Sequence, residues 1–91
     1  MKDMDKMALD IAKNYVKELL TFDHLTYRNM ALGSLAFVIV WKCKTLQNWK
    51  YIISTVPLIR EGMMFELTYN GDKKEWYLDA YAKFDNKVIA E

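Results

Sequence analysis

The sequence predicts an α+β fold in which an N-terminal amphipathic helix, with room for a second short helix, packs on an antiparallel four- to five-stranded meander sheet. Apolar residues recur at steps of three and four up to residue 20, the period of one helical stripe. From Leu35 the pattern changes to apolar runs and alternations of strand length, separated by short turn sequences. The pair Asn70–Gly71 between two such runs is a strong local hairpin signal. Sequential strands joined by short turns pair with their neighbours, and the helix covers the apolar face that results.

Within residues 2–20, Met4, Met7, Ala8, Ile11, Tyr15 and Leu19 form the stripe, and Ala12, Val16 and Leu20 widen it on one side. Asp3 or Asp5 suits its start, because a carboxylate there accepts from free backbone N–H groups and meets the positive end of the helix dipole. Asp23 and Gly33 bracket the second short helix, over about 24–32, as cap and stop. A long loop is the alternative for this stretch.

Residues 35–41 are apolar on both faces and read as a central strand, covered on one side by the helix and continuing through Lys42–Lys44. Four residues, 45–48, connect it to a strand at 49–56, which Pro57 ends because it has no N–H to donate. The third and fourth strands span 62–69 and 73–84. A two-residue turn on Asn70–Gly71 sets Phe65 opposite Trp76, Met63 opposite Leu78 and Glu66 opposite Glu75. Met64, Glu66, Thr68, Tyr77, Asp79 and Tyr81 then share the other face. Residues 87–91 either return as a short edge strand or fray.

The 91 residues suit one domain spanning 1–91, with a core that needs neither metal nor disulfide. At 53% hydrophobic and 14% aromatic residues, the chain is not composed like a disordered segment. Thirteen basic and twelve acidic residues leave a formal charge of +1, so no global field draws it to nucleic acid or an anionic membrane. Only Arg28 and Arg60 offer a bidentate guanidinium. The longest apolar stretch, 30–41, is too short to span a bilayer as a helix, so no membrane partner is expected. The first twenty residues are charged throughout, unlike a leader, and cytoplasmic location is the expectation.

Catalytic apparatus is not expected. His24 is the single histidine and has no ligand neighbour, so no metal or other cofactor is implied. Cys43 lies between two lysines but has no activating histidine, and it alternates with Leu35, Phe37, Ile39 and Trp41, which places it facing inward. Glu66 and Glu75 are close enough for paired-carboxylate chemistry in the two-residue hairpin, yet they sit on a flat face that would not perturb either group. The three glycines are isolated, so no phosphate-binding loop exists.

Binding is the function that remains. Three tryptophans and six tyrosines exceed what so small a core holds. Alternation then assigns Met64, Tyr77, Asp79 and Tyr81 to an outer sheet face suited to a protein partner or a homodimer mate. The expected function is therefore a non-enzymatic interaction module, such as an inhibitor, adaptor or regulatory subunit. The alternative is nucleic-acid binding, preferentially to single strands, by Lys42, Lys44, Trp49, Tyr51, Lys73 and Lys74. One hairpin register sets Lys44 opposite Trp49 and Lys42 opposite Tyr51, combining backbone attraction with rings for stacking.

Overall fold

The computed structural model describes residues 3–22, 35–59 and 62–91, with side chains only as far as Leu19 in the first of these. Helix α1 (Met4–Phe22) is followed by β1 (Ala36–Thr45), β2 (Asn48–Val56), β3 (Met64–Asn70) and β4 (Glu75–Tyr81). The strands form one antiparallel sheet in the order β1-β2-β3-β4, with α1 on one face. This is the predicted α+β meander in its four-stranded form. Residues 82–91 contain no strand, and the 24–32 helix, His24, Arg28 and Arg60 lie outside the described residues.

Asp3 caps α1, its Oδ1 accepting from the Lys6 backbone N–H at 3.0 Å. The buried line of α1 is Ala8, Ala12 and Val16, spaced four apart, with Met4, Ile11, Tyr15 and Leu19 packed beside it. Two alanines at the centre let the helix backbone approach the sheet closely. Against them lie Tyr51 and Ile53 of β2 and Phe65 and Leu67 of β3, all fully buried. The core is therefore centred on the middle strands, which have a neighbour on each side.

Three sequence expectations change. First, β1 is an edge strand, not a central one, and it is irregular: the β1–β2 register shifts between Ile39 and Trp41. The extra residue, Val40, inverts the faces beyond it. Phe37 and Ile39 pack toward the helix, whereas Trp41 and Cys43 are exposed and Lys42 takes the helix side. The inward placement of Cys43 and Trp41 assumed unbroken alternation.

Second, the β3–β4 turn has four residues, Gly71–Lys74, so Asn70 pairs with Glu75, Phe65 with Ala80, Leu67 with Leu78 and Glu66 with Asp79. Asn70 sets the wider turn by accepting from the N–H groups of Asp72 (3.0 Å) and Lys73 (3.2 Å), and Lys74 takes the left-handed conformation at φ 55°. Third, Met63 is buried but precedes β3, its N–H bonded to the Ile59 carbonyl at 3.1 Å, and so does not face Leu78.

Gly71 serves close approach between two turns. Its N–H donates to Asn48 Oδ1 at 2.9 Å, Gln47 bonds Asp72, and a Cβ at position 71 would strike the Gln47 carbonyl oxygen. Gly71→Ala should therefore push the hairpin tips apart and cost about 1 kcal/mol, read as a lowered urea midpoint with an unchanged slope. An unaltered midpoint would show that the tips do not support each other.

Candidate protein-interaction face

The pairing registers place the outer-face side chains in rows across the sheet. Val38, Ser54, Met64 and Tyr81 form one row; Trp41, Ile52, Glu66 and Asp79 the next; Cys43, Lys50, Thr68 and Tyr77 a third. Among the described residues no helix or strand covers this face. An uncovered antiparallel face ordinarily carries polar residues. Here Val38 (39% exposed), Trp41 (47%), Val56 (60%) and Tyr81 (55%) stand in solvent on or beside these rows, with Met64 at the exposed margin.

The apolar part deepens at one end into an open groove of about 690 Å³. Ser54, Met64 and Tyr81 form its floor, with Leu58, Gly62 and Lys83 at its rim. Gly62 holds φ +78°, a left-handed conformation that suits glycine, beside Leu58 and Lys83. Toward the other end the face turns charged. Lys50 Nζ lies 3.7 Å from Glu66, and Tyr81 donates to Glu66 at 3.2 Å. Tyr77 donates to Glu75. Those carboxylates hold both phenols above the ordinary tyrosine range, so the two tyrosines present neutral rings near neutral pH.

The four residues assigned from alternation, Met64, Tyr77, Asp79 and Tyr81, thus share one face, although the hairpin register moves each residue's partner by four positions, Phe65 from Trp76 to Ala80. An even shift preserves the faces. Val38, Trp41, Ile52 and Leu58 were not singled out by sequence. Leu58 follows Pro57 outside any strand, and for Trp41 the missing signal is the bulge at Val40.

The lysine–aromatic hairpin has the expected register, with Lys44 paired to Trp49 and Lys42 to Tyr51, but its environment differs. Tyr51 is fully buried, and its hydroxyl donates to Asp5 Oδ1 at 2.7 Å. Lys42 Nζ lies 2.8 Å from the other Asp5 oxygen. Trp49 stacks on Tyr51, ring centroids 5.9 Å apart and 8° from parallel, while Lys44 sits 5.5 Å above the Trp49 ring. Tyr51 is thus a core ring and Lys42 an ion-pair partner of the helix. Lys73 and Lys74 are exposed at the β3–β4 turn and do not join the Lys42–Tyr51 cluster.

No group of three or more potential metal ligands occurs among the described residues, and no helix among them is long and apolar enough to cross a membrane. The chain belongs to a family of unknown function, DUF6275, whose profile matches residues 5–91. No curated protein and no solved structure matches it.

Proposed function

We propose that the chain is a non-enzymatic interaction module that binds a protein partner through the outer face of its sheet. The uncovered face carrying Val38, Trp41, Met64 and Tyr81 is the observation that carries this reading. Burying Val38, Trp41 and Tyr81 gives large contact area with few frozen rotors, and the flexible Met64 side chain can fill irregular gaps, the chemistry of interface centres. The charged rows of Lys50, Glu66 and Asp79 form the rim and give orientation. Cytoplasmic location belongs to the same reading, since a reducing compartment keeps the exposed Cys43 thiol free.

The test is capture from native extract with wild-type bait, Met64→Asp bait, and a control altered on the exposed side of the helix, Lys13→Glu. Met64→Asp should lose about tenfold or more of the specifically bound protein, because an unpaired carboxylate would be buried in the contact, while the control retains it. If no protein distinguishes the baits, the reading fails. Captured material removed by nuclease and by moderate salt would point instead to nucleic acid.

A further inference from the structure

The two edges of the sheet differ in how they are protected against a further strand. An open edge presents unpaired backbone N–H and C=O groups to any incoming strand, and soluble proteins commonly blunt it with lysine, proline or a bulge. The β1 edge has a bulge at Val40 and carries Lys42 and Lys44. The β4 edge has none of these. Its seven residues, Glu75–Tyr81, pair with β3 in unbroken register and contain neither lysine nor proline. Among the described residues no element lies beyond it. On the helix side, α1 lies mainly over β1, β2 and β3. Trp76 and Leu78 are left half-buried and Ala80 exposed.

We propose that β4 pairs with β4 of a second copy about a two-fold axis through Leu78, making one continuous eight-stranded sheet. The strand is self-complementary about that residue. Antiparallel pairing centred there sets Leu78 opposite Leu78, Trp76 opposite Ala80, Tyr77 opposite Asp79 and Glu75 opposite Tyr81. On the helix side the large indole meets the small methyl, and the two leucines meet on the axis. On the outer side each carboxylate faces a neutral phenol in place of a second carboxylate, and no like charges are opposed.

Neighbouring registers that preserve the faces lack this property. An axis through Tyr77 opposes Glu75 with Asp79 twice, and one through Asp79 opposes the two Asp79 carboxylates directly. The Leu78 axis also uses all seven residues of the strand. The second copy is therefore favoured over an arbitrary strand because the charge pattern of β4 is matched by β4 itself. The unpaired backbone edge of β4 adjoins the outer face proposed for a partner, and Tyr77, Asp79 and Tyr81 border both; edge pairing would extend that face and leave Val38, Trp41 and Met64 uncovered.

The test uses purified protein alone, by sedimentation velocity over a wide concentration range, together with the distance between spin labels on the native Cys43. Cys43 is exposed on β1, at the far edge from β4. In an edge-paired dimer the two labels lie about 34 Å or more apart, the width of seven strand spacings. Face-to-face stacking through the outer surface would bring them within about 20 Å. Tyr77→Asp places like charges opposite each other at two symmetric positions and should weaken the dimer by about tenfold or more. Adding Asp79→Lys should restore it, and Met64→Asp should leave it unchanged. Both altered β4 side chains are exposed, and circular dichroism checks that the variants fold. A monomer at all concentrations, a short Cys43 distance, or indifference to Tyr77→Asp would each overturn the proposal. None of these outcomes bears on partner capture through Met64.

Discussion

Phe65→Ala is expected to remove about 3–5 kcal/mol of stability, a large fraction of the about 5–15 kcal/mol that folded domains possess. Phe65 is fully buried on β3, paired with Ile53 on one side and Ala80 on the other. The Tyr15 ring of α1 meets it edge-on, with centroids 5.7 Å apart and planes 68° apart. Truncation would empty the place where helix and sheet are joined, and the flanking backbones, fixed in their ladders, cannot close around it. The melting temperature should fall by roughly 12 °C or more. Phe65→Leu, which keeps most of the volume, should lose much less. Equal losses from the two variants, or a loss below about 1 kcal/mol from alanine, would show that the helix is held elsewhere.

The same residue shows why the sequence was informative about faces and poor at registers. Alternation places Phe65 inward because it needs only parity, and the wider turn moves its partner from Trp76 to Ala80 without changing parity. The side chain of Asn70 caused that shift by accepting from the second and third residues beyond it, a local competition that a turn dipeptide does not reveal. In β1 a single extra residue had the opposite effect, leaving the pairing of Lys44 with Trp49 legible but inverting the faces of Trp41 and Cys43. The doubly apolar run at 35–41 suggested a strand buried on both sides. It instead faces the helix on one side and the open outer surface on the other, so the mark of a central strand and that of a binding face are the same in sequence. For the candidate site, alternation sufficed for Met64, Tyr77, Asp79 and Tyr81. It could not separate Tyr51, buried beneath the start of α1, from an exposed stacking ring, because that depends on where the helix begins over the sheet.

That start is fixed by Asp5, and its removal is the second large effect. One Asp5 oxygen accepts from the Tyr51 hydroxyl at 2.7 Å and the other lies 2.8 Å from Lys42 Nζ, so one side chain of α1 ties together β1 and β2. Asp5→Ala leaves the Tyr51 hydroxyl without its acceptor and Lys42 without its counter-charge, and should cost about 2 kcal/mol. Tyr51→Phe removes the donor while sparing the ion pair and should cost about 1 kcal/mol.

The pH dependence separates the two. The Lys42 and Tyr51 hydrogen bonds hold the Asp5 carboxyl below its ordinary value of 3.8. Its contribution is therefore present above that value in the unfolded chain and is lost as pH falls through the lower folded value. The stability gap between wild type and Asp5→Asn should be constant near neutrality and narrow below about pH 4. Tyr51 shifts upward, first through burial and then through its bond to Asp5, from an ordinary value of 10.0. Stability from its protonated form is present below that value and is lost as pH rises toward the folded one, because the unfolded phenol ionises first. Wild type should thus lose stability above about pH 10 more steeply than Tyr51→Phe. Urea titrations of the three proteins across both limbs would measure this. A gap to Asp5→Asn that persists unchanged at pH 2 would show that the carboxylate charge does not anchor the helix, and parallel alkaline limbs would show the same for the Tyr51 hydroxyl.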